Sequence, residues 1–158
     1  VNIRAKCCFA YKTAVPVPTH RLPTGRKKMS KKKELQAIST KKAPAAIGPY
    51  SQAIAAGDFL FISGQIPIDP ASGDVVSGDI TAQAEQVMKN IGKILKKAGI
   101  GYENAVKTTC FLADLADFTA FNDVYAKYFT GKPARSCVAV RQIPKGVLCE
   151  VEVTCYLK

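Results

Sequence analysis

The hydrophobic period of the chain switches from two to 3.6 and back between residues 52 and 157, and this order of periods restricts the fold more than any other feature. Alternation at Gln52-Ala53-Ile54-Ala55-Ala56 and at Phe59-Leu60-Phe61-Ile62-Ser63, separated by Gly57-Asp58, predicts two strands joined by a tight hairpin. A loop rich in Gly and Pro follows, through Pro67, Pro70, Gly73 and Gly78. Ile80, Ala84, Val87, Met88, Ile91, Ile94, Leu95 and Ala98 then mark one stripe of a helix, with Asp79 placed to cap its start and Gly99 to end it. Val106, Thr108, Cys110 and Leu112 alternate with Lys107, Thr109 and Phe111 as a further strand. A second helix is expected to open at Asp114, capped by that carboxylate, and to carry Phe118, Phe121, Val124, Tyr125 and Tyr128 into the core before Gly131 and Pro133. Arg135–Val140 and Val147–Leu157 read as closing strands, joined through Pro144-Lys145-Gly146.

Strands, helix, strand, helix and strands in that order predict an α+β domain with both helices on one sheet face and the other face bare. Counting by twos puts Glu150, Glu152, Thr154 and Tyr156 on one side of the last strand and Cys149, Val151, Val153 and Cys155 on the other, the side that should meet the helices. Arg135, Cys137 and Ala139 likewise share a side, opposite Ser136, Val138 and Val140. If the polar sides of these two strands coincide, a cation and a carboxylate face one space beyond the helix layer.

The formal charge of +11 belongs to the N-terminal stretch. Residues 1–33 hold ten Lys or Arg and no acid, leaving 13 basic against 12 acidic residues in the remainder. The runs Arg26-Lys27-Lys28 and Lys31-Lys32-Lys33 would attract any polyanion, but only Phe9 and Tyr11 could stack on bases, so the tail is a weak candidate for nucleic-acid binding and the near-neutral domain a poor one. Residues 1–34 are therefore read as a basic tail, a targeting segment or translated sequence upstream of a start at Met29, and residues 35–158 as one domain. The six cysteines include no CxxC pair and follow no apolar leader, which favours a reducing, cytoplasmic setting. A mitochondrial or plastid address is the alternative if residues 1–28 are a transit peptide. Cys110, Cys137, Cys149 and Cys155 fall in β-like runs as small hydrophobes, while Cys7 and Cys8 belong to the tail. No stretch reaches the roughly 18 apolar residues of a spanning helix, and no membrane partner is expected.

His20 is the only histidine, which removes Ser-His-Asp, Cys-His and histidine-rich metal sites from consideration. There is no phosphate loop and no dinucleotide fingerprint, so neither metal nor cofactor is expected. Arg135, Cys137, Glu150 and Tyr50 are the polar groups left for chemistry. From spacing alone the arginine, the cysteine and the glutamate also fit plainer roles as surface charge, core thiol and solvated carboxylate.

Ala43-Pro44-Ala45-Ala46-Ile47-Gly48-Pro49-Tyr50-Ser51-Gln52, Ser63-Gly64-Gln65-Ile66-Pro67 and Pro133-Ala134-Arg135-Ser136-Cys137-Val138 resemble the reactive intermediate deaminase (Rid, YjgF) family, in particular its RidA branch. Val106-Lys107-Thr108-Thr109, Leu112 to Phe118, Asn122-Asp123-Val124-Tyr125 and Glu150-Val151-Glu152 extend the match in order and spacing over nearly all of residues 36–157. The resemblance implies a chorismate-mutase-like α+β fold, a mixed sheet of about six strands with two helices on one face. It also implies a homotrimer with sites at subunit clefts. The implied reaction is hydrolysis of 2-iminobutanoate, 2-iminopropanoate and related enamines, released by pyridoxal-phosphate enzymes, to 2-oxo acids and ammonia.

Residue by residue, the family arginine falls on Arg135, its neighbouring cysteine on Cys137, the acidic site residue on Glu150, the aromatic lid on Tyr50 and the loop glycine on Gly64, next to Ser63. Arg135 would grip the substrate carboxylate through two hydrogen bonds, and Glu150 would serve as the base. Cys137 would act through its backbone or by packing, since no histidine activates its thiol. Lys132 departs from the pattern, standing where many relatives carry an aromatic, which would alter the cleft wall and substrate breadth. Two other functions compete: RNA cleavage with inhibition of translation, a label some members of the family carry, and a noncatalytic module that binds small carboxylates or acts as a chaperone.

Overall fold

A computed structural model describes residues 34–158. The readings of the preceding residues, Cys7, Cys8 and His20 among them, lie outside the described part. The elements in chain order are β1 (Gln36–Ile38), β2 (Ala53–Ala56), β3 (Phe59–Gln65), α1 (Ile80–Ala98), β4 (Ala105–Leu112), α2 (Phe118–Tyr128), β5 (Ala134–Ala139) and β6 (Cys149–Tyr156). They form one six-stranded sheet in the order β1-β2-β3-β6-β4-β5. All neighbours are antiparallel except β4 and β5. Two parallel neighbours need a long crossover, and α2 supplies it.

The hairpin β2–β3 turns at Gly57, whose φ of 63° is a left-handed value that glycine adopts without steric cost. α1 begins where Asp79 accepts the Ala82 N–H and ends at Gly99, φ 80°, whose N–H reaches the Leu95 and Lys96 carbonyls. Both ends match the sequence reading. The second helix starts later than expected. Asp114 caps a short 3₁₀ turn over Leu115–Asp117 by accepting from the Ala116 N–H at 2.9 Å, and α2 begins only at Phe118. Strand β1 was not anticipated, because three edge residues are too few to show a period.

Both helices pack on one face. Leu60, Ile62, Cys110, Leu112, Cys149, Val151, Val153 and Cys155 from the sheet meet Ala84, Val87, Met88, Ile91, Ile94 and Leu95 of α1 and Phe121, Val124 and Tyr125 of α2, all in the buried core. The strict alternation of burial along β6 confirms the period-two assignment of its two sides. On the opposite face Phe59, Phe61, Val138 and Tyr156 are exposed, with the Phe59 and Tyr156 rings 5.6 Å apart. No described helix is long and apolar enough to cross a membrane.

Candidate active site

The sequence candidates gather at two places. The first is a β-bulge in β3. Ile62 pairs with Val153 and Gln65 with Val151, so Ser63 and Gly64 together oppose one position of β6. An extra residue of this kind bends the strand and re-aims what lies beside it. Here it presses the Gly64 backbone against Glu150: a Cβ at Gly64 would fall on the Glu150 carboxylate. Only glycine leaves that carboxylate its place. Ser63 is fixed on both sides, its N–H donating to the Gln52 carbonyl at 3.1 Å and its Oγ to the Ser51 carbonyl at 2.7 Å.

Tyr50 belongs to this first place. It lines a small cleft with Gly64, Ile47 and Ile66. The residue is 46% exposed, and its hydroxyl accepts the Ile47 N–H at 3.3 Å, so the aromatic is folded back over its own loop. Buried Gln52 anchors that loop. Its amide donates to the carbonyls of Thr40, Ala43 and Pro44, and its Oε1 accepts the Thr40 N–H at 2.7 Å. Buried Asn90 does the same for the loop after β3, donating to the Ile66 and Ile68 carbonyls. Glu150 is half-buried, and its carboxyl titrates above the ordinary range, first because burial disfavours the charged form and second because Glu152 shares its side of β6.

The second place is the edge strand β5 against α2. The Arg135 guanidinium lies over the Tyr125 ring at 4.8 Å and near the Phe118 ring at 5.6 Å, and donates to Asn122 Oδ1 at 2.7 Å. Tyr125 is itself held, stacked on Phe129 and hydrogen-bonded to buried Thr108 at 2.8 Å. A fork with planar cation–π support on one side leaves its remaining N–H groups for a ligand. Arg135 opens on a cavity of about 310 Å³ lined also by Asn122, Thr130 and Lys132. Lys132, the departure from the family pattern, thus forms part of that wall, in a left-handed conformation with φ 51°. Cys137 is half-buried two residues on, and burial, opposed by Arg135, raises its thiol above the ordinary value.

These two places do not meet within one chain. β5 runs parallel to β4 and pairs Arg135 with buried Thr108, which puts the arginine on the helix side of the sheet. Glu150 pairs with Phe111 on the opposite side. The polar sides of the two strands therefore do not coincide in the subunit, because the register that buries Thr108, Cys110 and Leu112 commits Arg135, Cys137 and Ala139 to the same face. Phe118, expected in the core, is 36% exposed and serves the arginine instead. Asn122 and Tyr125 were not singled out as site residues, although their spacing of three puts them on one helix face. Among the described residues no group of three His, Cys, Asp or Glu is placed to hold a metal ion.

Residues 40–157 match the family model described as Endoribonuclease L-PSP. The chain belongs to this family, the Rid family. Among Rid relatives, a 2-iminobutanoate/2-iminopropanoate deaminase of Capra hircus is 53% identical over 116 residues, covering 73% of this chain and 85% of its own. A RutC family protein of Pyrococcus horikoshii is 52% identical over 122 residues, covering 77% of this chain and 97% of its own. Of the solved structures, E. coli TdcF with bound serine superposes with a TM-score of 0.73 at 38% identity, covering 77% of this chain and 98% of that one.

Proposed function

We propose that this Rid-family chain hydrolyses 2-imino acids and their enamine tautomers, 2-iminobutanoate and 2-iminopropanoate among them, to 2-oxo acids and ammonia, with no metal or cofactor. The reacting site is completed between subunits of a homotrimer, where Glu150, Tyr50, Ser63 and Gly64 of one protomer meet Arg135 and Cys137 of another. The observation that carries this reading is the pair of unmatched halves. Among the described residues Arg135 has no carboxylate at ion-pair distance and Glu150 no cation, yet each is held in place, by Asn122 and Tyr125 in one case and by the Gly64 bulge in the other. The deaminase name of relatives near 50% identity, and the serine bound to TdcF, support a small amino-acid-like carboxylate as the ligand.

Arg135 takes the substrate carboxylate on its fork, which fixes the adjacent C=N carbon. Glu150 accepts a proton from water as the water oxygen bonds to that carbon. That proton then moves to nitrogen to give the carbinolamine; its hydroxyl proton passes through Glu150 to the nitrogen as the C–N bond breaks, and ammonia leaves a 2-oxo acid. Backbone groups at Ser63, Gly64 and Cys137 hold the imine, and Tyr50 covers it. The raised titration of Glu150 suits it as the base, since a carboxylate poised nearer neutral pH takes the proton more readily.

The test couples threonine dehydratase, which generates the imine, to the wild-type chain, Arg135→Ala or Glu150→Ala. Faster ammonia release is expected with wild type alone, and equal rates in all three samples end the proposal. The description of the family as an endoribonuclease favours a second reading, cleavage of RNA. Cleavage of a single-stranded RNA that persists through purification and falls in Glu150→Ala supports that reading.

A further inference from the structure

Cys110 and Cys137 are direct partners in the parallel register of β4 and β5, on the side of the sheet that carries the helices. Neighbouring strands lie about 4.7–4.9 Å apart, inside the range of roughly 4.4–6.8 Å between the Cα atoms of disulfide-linked residues. The two differ in access: Cys110 is fully buried, whereas Cys137 is partly open, two residues along β5 from Arg135. Cys149 is excluded as the partner. It pairs with Leu112 and so lies diagonal to Cys110, about 7–8 Å away, at or beyond the limit for a bridge.

We propose that Cys137 and Cys110 form a reversible redox pair, with Cys137 the sulfur oxidised by a hydroperoxide and Cys110 the sulfur that resolves it. The Cys137 thiol gives its proton to solvent, the thiolate attacks one peroxide oxygen, and the O–O bond breaks as the leaving oxygen takes up a proton. Sulfur is oxidised by two electrons to a sulfenic acid, and the second oxygen leaves as water or alcohol. Cys110 then loses its proton and attacks that sulfur. The S–S bond forms, the S–O bond breaks, and the oxygen departs as water.

The pair is reversible for a geometric reason. Parallel neighbours hold their Cβ atoms near the strand spacing, wider than the roughly 3.8 Å a relaxed disulfide prefers, so the link draws the strands together and is readily reduced. β5 can yield because it is an edge strand, paired only with β4. Arg135 lies two residues from Cys137 on the same side of β5, so the link shifts the strand that carries it. Formation of the bridge is independent of the deaminase reading.

The full chain, first reduced, is exposed to hydrogen peroxide, alkylated and digested, and the peptides are mapped by mass. A linked pair containing Cys110 and Cys137 is expected in wild type and in Cys149→Ala. It should vanish with dithiothreitol and be absent from Cys110→Val, in which Cys137 advances to the sulfinic acid instead. Sulfinic acid at Cys137 of the wild type with Cys110 still open to alkylation overturns the proposal, as does a bridge from either sulfur to Cys149.

Discussion

Arg135 owes its position to neighbours that neutralise none of its charge. Tyr125 and Phe118 offer ring faces and Asn122 a single carbonyl oxygen, so the guanidinium is oriented while its affinity for a carboxylate is kept. A lysine in its place keeps the charge and loses the planar fork and the stacking. Arg135→Lys is expected to lower kcat/KM for the imine roughly ten- to a hundredfold, the worth of a charge-assisted hydrogen bond, with the loss mainly in KM. An unchanged KM in steady-state assays would show that the substrate carboxylate binds elsewhere. Glu150 makes the complementary case. Its carboxyl is raised above its ordinary 4.5 by burial and by Glu152, and the base is the ionised form. Activity should therefore fall as pH drops through that raised value, giving an acid limb of kcat/KM above pH 4.5. Glu150→Gln should lower the rate roughly 10²–10⁴-fold and abolish the limb. A limb that persists in this variant assigns the titration to another group.

At the scale of elements, the bulge in β3 and the crossover through α2 do most to shape the site. The bulge brings backbone within contact of Glu150 and depends on the missing side chain of Gly64. Gly64→Ala should preserve the fold, since the glycine is half-buried and its φ is not left-handed, but it must displace the carboxylate. A fall in kcat of about tenfold or more, with circular dichroism unchanged, is the expected result; full activity would show that Glu150 needs no fixed position. The crossover makes β5 parallel to β4 and turns Arg135 toward α2. Asp114 illustrates how local signals mislead at this scale: its cap is real, yet it closes a 3₁₀ turn that delays α2 until Phe118, and this delay lets Phe118 reach Arg135.

For the whole molecule, an exposed aromatic sheet face and two unmatched half-sites are what the proposed association of identical chains would resolve. Mixing tests it directly. Arg135→Ala and Glu150→Ala, each inactive alone, should regain activity when unfolded and refolded together. A cyclic assembly with sites between neighbours then has about a quarter of its sites intact, since one protomer supplies the arginine and the next the glutamate. No recovery in mixtures that co-assemble, with both parents folded, rules out a site shared across subunits.

What the sequence determined by itself is whatever depends on near neighbours. α1 with its Asp79 and Gly99 ends, the hairpin at Gly57 and the two sides of β6 all follow from period and capping, which are local. The family resemblance picks out Arg135, Cys137, Glu150, Tyr50, Ser63 and Gly64 as candidates. It could not say on which face of the sheet each would stand. That was decided by strand order and register: β6 inserts between β3 and β4, β5 joins the edge in parallel, and one extra residue at Ser63-Gly64 shifts the pairing. Side-chain direction alternates with every residue, so a face is set only when a strand finds its partner, and those partners lie tens of residues away along the chain.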